Sequence, residues 1–164
     1  MNEEFLISYL KKVNGIPNDL NMKSPESIRA LMNITMPFSL SEEYYLRQDE
    51  YLQQRLKSKT IIDVKEFPNQ ISLYRGDITL LKADGIVNAC NSKLLGCFSP
   101  LHGCIDNAIH SYAGLQVRRD CLKMMQEQGH DEANGQCKIT SGYNLPSSFI
   151  FHTVGPIAYG RPTE

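Results

Sequence analysis

Residues 88–114 read NACNSKLLGCFSPLHGCIDNAIHSYAG, and this stretch decides both the fold and the chemistry expected of the chain. It carries three side chains of the metal-ligating type, Cys97, His102 and Cys104. His102 and Cys104 are two positions apart, so on a helix they would point to different sides. They can converge on one ion only from a loop, and the glycines and proline within residues 96–103 are typical of one. The spacing therefore predicts a metal-binding loop.

A helix is predicted directly after this loop. Apolar residues recur at helical spacing from Ile105 to Tyr112, and Gly114 is expected to end the helix. Asp106 would then lie in the first turn, where the helix dipole favours an anion. We expect Asn91, Asp106 and the ion to share one small volume.

Composition restricts the functional classes. The chain has 164 residues, a formal net charge of −1 and 41% hydrophobic residues, which suits one domain or a domain with an extension. We expect neither a membrane span nor a secretory signal, since no apolar run is long enough and the first residues are acidic. Near-neutral charge argues against nucleic-acid binding. Five cysteines, four of them between Cys90 and Cys121, favour a reduced, cytoplasmic protein with thiol or metal chemistry over a disulfide scaffold.

Residues 1–60 are predicted to form a helical extension. An apolar stripe runs from Phe5 to Val13, and Ser24-Pro25 is typical of a capped helix start with proline in the first turn. A third, mostly polar helix is expected from Glu42 to about Leu56, capped by Ser39 or Ser41. This extension could be a helical buttress on the core, or a lid or partner surface.

From residue 60 onward the pattern changes to alternating strands and helices. Strands are predicted at 60–64, 71–74, 84–89, 137–140 and 149–154, and a second helix follows Gly114 as far as Gly129. Interleaved strands and helices indicate a layered α/β domain.

Five segments in this order resemble the ADP-ribose-binding macrodomain family: 76–79 (GDIT), 84–91 (DGIVNACN), 105–110 (IDNAIH), 139–146 (ITSGYNLP) and 152–156 (HTVGP). Residues 96–104 (GCFSPLHGC) stand where ordinary hydrolytic macrodomains have a run of glycines. This replacement resembles the zinc-dependent microbial subfamily, whose members also have an N-terminal helical extension. The resemblance implies a three-layer α/β/α fold with a mixed sheet at 61–164, incomplete at its C-terminus because the family's last helix, strand and Ser-Thr-Gly loop are missing.

The resemblance also implies roles for individual residues. Asp77 and the Ile78 backbone would recognise adenine, and Asn91 would hold the distal ribose. Cys97, His102 and Cys104 would bind Zn²⁺, and Asp106 would be the catalytic base, while Asn88 would brace the loop. The implied activity is hydrolysis of ADP-ribose from modified protein side chains, and a lipoylated carrier protein is an implied substrate.

Several alternatives stay open. Zinc could merely shape the loop instead of acting in catalysis, and the chain could be a non-catalytic ADP-ribose-binding module or a non-functional fragment. Buried packing is the expectation for His110, His152 and Cys121. Arg118 and Arg119 could contact phosphate, but the default expectation is that they are a pair of charged residues on a helix surface.

Overall fold

The computed structural model of the chain describes residues 2–17, 19, 22, 24–38, 40–157 and 160. Five α-helices occur in this part of the chain: α1 (Asn2–Val13), α2 (Pro25–Ile34), α3 (Glu42–Lys57), α4 (Ile105–Ala113) and α5 (Leu115–Gln128). Its strands are β1 (Ile62–Asp63), β2 (Leu81–Lys82), β3 (Gly85–Cys90), β4 (Cys137–Ser141) and β5 (Phe149–Val154). Among the described residues, no helix is both long enough and apolar enough to cross a lipid bilayer.

The three helices of the extension form as predicted. The Ser24 hydroxyl accepts from the backbone N–H of Ser27, and the Ser27 side chain completes a capping box at the start of α2. Ser41 caps α3 by accepting from the backbone N–H of Tyr44, while Ser39, the other predicted cap, lies outside the described residues. One narrow face of α3 is buried, formed by Tyr44, Tyr45, Gln48 and Leu52.

The extension packs against the start of α5 as a buttress. Leu115 belongs to the same apolar cluster as Leu6 of α1 and Tyr44 of α3. Gln48 accepts a hydrogen bond from the backbone N–H of Leu115 at 2.9 Å and donates to Gln116 at 2.6 Å. These contacts cross the predicted domain boundary at residue 60. That boundary falls between α3 and β1 and stays a prediction.

The central sheet is mixed, as predicted. Its order is β3-β5-β4, with β5 parallel to β3 and antiparallel to β4. The second core cluster joins this sheet to α4 and α5 through residues such as Ile86, Ile109, Val117 and Ile150. The α/β fold expected from the sequence is therefore present.

The helices α4 and α5 cover one face of the sheet. Ile86 and Asn88 of β3 point into the core, whereas Val87 is 56% exposed, with Ile139 and Phe149 similarly exposed on neighbouring strands. β3 is therefore buried on one face only. Within the described part of the chain, no helix covers the opposite face, so the second helical layer of the expected three-layer sandwich is not seen there.

Two predicted strands are wrong or shorter than expected. The segment 71–74 has no strand structure, and its Ile71 and Leu73 side chains are almost fully exposed. A strand requires a hydrogen-bonded neighbour, and none of the described residues lies alongside this segment as one. At 60–64 only Ile62–Asp63 pairs, with β2, because the Asp63 carboxylate accepts from the backbone N–H of Lys65 and starts a 3₁₀ turn.

Candidate metal centre and active site

The predicted loop leaves the carboxyl end of β3 and ends at the start of α4. Asn91 stabilises the first turn of this loop. Its backbone carbonyl accepts from the backbone N–H of Leu94, and its side-chain oxygen accepts from the backbone N–H of Lys93. The Asn91 amide donates to the Gly96 carbonyl at 3.3 Å. Asn91 is solvent-exposed, so it holds the base of the loop while remaining accessible to a ligand.

The three candidate metal ligands converge. The ligand atoms of Cys97, His102 and Cys104 all lie within 4.8 Å of one another, and Cys97 Sγ is 3.6 Å from His102 Nδ1. Around a tetrahedral zinc ion, sulfur and nitrogen ligands stand about 3.6 to 3.8 Å apart. The donor types and their separation therefore fit Zn²⁺ with small side-chain adjustments, and three protein ligands leave one coordination position for another group.

Cys104 has a second function at the start of α4. It is the N-cap residue, and its sulfur accepts from the backbone N–H of Asn107 at 3.4 Å. Burial raises the pKa of the Cys104 thiol, and the neighbouring Cys97 adds to this shift. A divalent cation would reverse that effect, since metal binding requires the thiolate form.

Asp106 lies in the first turn of α4 but points into the core. It is only 5% exposed, and its Oδ1 accepts from the Asn88 amide at 2.8 Å. Burial raises the pKa of the Asp106 carboxyl, although the hydrogen bond from Asn88 and the charge of Arg118 oppose the shift. Asn88 therefore braces Asp106 and, through it, the start of α4. Its expected role of bracing the loop stays a prediction.

A chain of buried polar groups continues from Asn88 across the sheet. Asn88 Nδ2 lies 3.1 Å from His152 Nδ1, and His152 Nε2 lies 2.9 Å from Thr140 Oγ1. With Asn88 donating to Nδ1, the proton of the neutral ring resides on Nε2 and is donated to Thr140. Burial lowers the pKa of His152 to about 4, so the imidazole is neutral at pH 7.

His110 lies directly beneath the loop. Its ring packs so closely against Gly96 that a Cβ at that position would stand 2.8 Å from the ring. His110 Nε2 is 3.5 Å from Asp106 Oδ1, and burial lowers the pKa of His110 well below its usual range. His110, His152 and Cys121 are all buried, as the sequence predicted.

The predicted adenine-binding residues lie in the turn before β2. Asp77 is the N-cap of a 3₁₀ turn, and its carboxylate accepts from the backbone N–H and hydroxyl of Thr79 at 2.9 and 2.6 Å. Ile78 packs against the second core cluster. The Asp77 carboxylate thus caps a turn at an exposed position, and its role toward adenine stays a prediction.

Arg118 corrects one expectation. It is 1% exposed, not a surface residue, and its guanidinium donates to the carbonyls of Met32, Asn33, Thr35 and Leu95. The carbonyls of Met32, Asn33 and Thr35 lie at the C-terminal end of α2, where the positive charge of the guanidinium also complements the helix dipole. The guanidinium lies 4.3 Å from the centre of the Phe98 ring in the metal-binding loop. Sequence reasoning missed this role because four acceptors that come from distant positions leave no local pattern.

Comparisons with known proteins agree with this architecture. The family model "Macro domain" matches residues 87–164. A protein-ADP-ribose hydrolase from Treponema medium is 43% identical over 98% of this chain and 66% of its own length. A protein-ADP-ribose hydrolase from Staphylococcus aureus (strain MRSA252) is 42% identical over 93% of this chain and 60% of its own length. The chain thus spans slightly less than two thirds of these relatives.

A solved structure gives the same result at the level of the fold. The Trypanosoma brucei macrodomain in complex with ADP-ribose superposes with a TM-score of 0.52 and 28% identity, covering 83% of this chain and 61% of the other. The chain therefore has the macrodomain α/β fold and is homologous to protein-ADP-ribose hydrolases.

Proposed function

We propose that the chain is the metal-binding part of a zinc-dependent hydrolase that removes mono-ADP-ribose from modified protein side chains. The observation that carries this proposal is the convergence of Cys97, His102 and Cys104 on a loop at the carboxyl end of β3. Ligands bind at this end of the strands in open α/β sheets. The names of the relatives from Treponema medium and Staphylococcus aureus, both protein-ADP-ribose hydrolases, support the same activity.

Each residue has a specific role in this proposal. Asp77 and the Ile78 backbone would recognise the adenine, and Asn91, exposed at the base of the loop, would hold the distal ribose. Asp106 would take a proton from the attacking water or hold that water in line. Zinc, held by the two thiolates and the imidazole, would supply Lewis-acid polarisation of an oxygen at the distal ribose. The substrate would be an ADP-ribosylated protein in the cytoplasm, and a lipoylated carrier protein is one candidate.

A second candidate function is ADP-ribose binding without hydrolysis. One observation favours it: the Asp106 carboxylate is buried and already accepts a hydrogen bond from Asn88. A carboxylate in this arrangement stabilises the helix start and presents little surface to solvent. The Trypanosoma brucei macrodomain, which was solved with ADP-ribose, is consistent with either function.

The two candidates differ in turnover. The assay measures release of ADP-ribose from an ADP-ribosylated protein substrate. Two proteins are compared: this chain, and a chimaera that adds the part of the Treponema medium hydrolase that this chain does not cover. The hydrolase function predicts release that is lost in Cys97→Ala and kept in Cys137→Ala, a matched control at an exposed cysteine outside the loop. Saturable ADP-ribose binding by the chimaera without any release would contradict the hydrolase and support the binding module.

A further inference from the structure

The helix α2 of the N-terminal extension contacts the metal-binding loop directly. Arg29 Nη2 donates to Asn107 Oδ1 at 2.7 Å and to the His102 carbonyl at 3.4 Å. Arg29 Nε also donates to the Ser111 hydroxyl at 3.3 Å. One guanidinium therefore joins the extension to a candidate metal ligand residue and to α4.

Asn107, which accepts from Arg29, also donates hydrogen bonds to the other two candidate ligand residues, Cys97 and Cys104. It is fully buried, and its amide donates to the carbonyls of Ser99 at 3.0 Å and Cys97 at 3.4 Å. The backbone N–H of Asn107 donates to Cys104 Sγ at 3.4 Å. Because Arg29 accepts no hydrogen bonds, its donation to Oδ1 fixes the orientation of the amide, with the NH₂ group facing the loop.

A second residue of α2 supports the same loop one helical turn later. Asn33 Oδ1 accepts from the backbone N–H of Leu101 at 2.9 Å, and its amide donates to the Ser111 hydroxyl at 2.9 Å. Arg29 and Asn33 are four residues apart, so they lie on the same face of α2. Arg118 fixes the C-terminal end of this helix by donating to three of its last carbonyls.

We propose that Arg29 is a positioning residue for the metal ligands, acting through Asn107, so that metal affinity depends on the N-terminal extension. Ligands that are held near their bound geometry before the ion arrives lose less conformational freedom on binding, and residues that orient ligands typically change metal affinity by about 10- to 100-fold. This inference rests on the metal site of the proposed function but does not depend on hydrolysis.

The chain offers a matched control. Arg55 of α3 also reaches across to α4, where its guanidinium lies 3.6 Å from the centre of the Tyr112 ring. Arg29 contacts the same tyrosine, donating to its hydroxyl at 3.4 Å. Among the described residues, Arg55 makes no hydrogen bond to residues 97–104, so Arg55→Ala removes a contact between the extension and α4 without touching the loop.

The test is zinc affinity, measured by competition with a chromophoric chelator. We expect Arg29→Ala to bind zinc about 10- to 100-fold more weakly than the parent chain, and Arg55→Ala to stay within about two-fold. Arg29→Lys should be intermediate, because an ammonium keeps the charge but lacks the planar set of donors. The melting temperatures of the metal-free Arg29 variants are compared with that of metal-free Arg55→Ala. A loss of zinc affinity that comes from unfolding alone would be accompanied by a lower melting temperature.

A double-mutant cycle tests the route through Asn107. If Arg29 acts through Asn107, the Arg29→Ala/Asn107→Ala protein should bind zinc no more than about two-fold more weakly than Asn107→Ala alone. Additive losses would overturn that route. Equal affinities for Arg29→Ala and Arg55→Ala, in a parent that binds zinc, would overturn the inference and leave the proposed function standing. A parent chain that binds no zinc would overturn both.

Discussion

The buried His152 should make the stability of the fold depend on pH in a defined direction. Its side chain is 0% exposed, and burial lowers its pKa from 6.5 to about 4. Between these two values the unfolded chain binds a proton at this position and the folded chain does not. Protonation therefore favours unfolding, so this contribution to stability is complete above pH 6.5 and is lost as the pH falls toward 4.

The size of the effect follows from the two pKa values. At pH 5 the unfolded histidine is almost fully protonated and the folded one only slightly, which corresponds to a loss of about 2 kcal/mol relative to pH 8. His110, also buried, acts in the same direction, and Asp106, whose pKa burial raises, acts in the opposite one. His110 and Asp106 are both retained in a His152→Gln variant. The difference in free energy of unfolding between parent and variant therefore isolates the contribution of His152.

The assay is urea unfolding followed by circular dichroism at pH 8 and pH 5, with a chelator present because metal binding is itself pH-dependent. His152→Gln should be less stable than the parent at pH 8, since it loses the fit to Asn88 and Thr140. At pH 5 the difference in free energy of unfolding between the parent and His152→Gln should be about 2 kcal/mol smaller than at pH 8. If the parent and His152→Gln differ in free energy of unfolding by the same amount at both pH values, this reasoning is refuted.

Three further predictions concern packing and can be measured by the same unfolding assay. Arg118→Met should destabilise the fold by about 3–5 kcal/mol, because four buried carbonyls lose their donor, whereas the exposed neighbour Arg119→Met should change stability by less than about 1 kcal/mol. Ile86→Ala should cost about 2–4 kcal/mol and Val87→Ala less than about 1 kcal/mol, since they face opposite sides of β3; equal costs would mean that the exposed face is covered in solution. Gly96→Ala should cost about 1–3 kcal/mol, because φ is +82° and the new Cβ would meet the His110 ring, while Gly103→Ala, with open space at its Cβ, should be nearly neutral.

The sequence predicted the elements whose signals are local. Helical periodicity and the Ser24-Pro25 and Ser41 caps located the extension, and Gly114 and Gly129 ended α4 and α5. The ligand types and the loop-forming residues between them identified the metal-binding loop, and the ligand atoms do converge. Each of these features depends on residues fewer than about ten positions apart, which is the range that a sequence pattern describes.

Features that depend on distant partners were missed. Ile71 and Leu73 have the composition of a strand, yet strand structure also requires a neighbour, and this segment has none among the described residues. Arg118 has the sequence context of a surface charge, but carbonyls from α2, more than eighty residues earlier, surround it. Arg29 was missed for the same reason, since its acceptor Asn107 lies 78 positions away.

The buried polar chain shows how a local pattern and distant pairing combine at the site. Alternation along β3 turns Ile86 and Asn88 toward the core and Val87 away from it. The parallel register pairs Asn88 with His152 on β5, so the two polar side chains meet beneath α4. A shift of one residue in this register would turn Asn88 to the exposed face and leave Asp106 buried without its donor. Sheet register thus determines how Asp106 is held, and with it the start of the helix that follows the metal ligands.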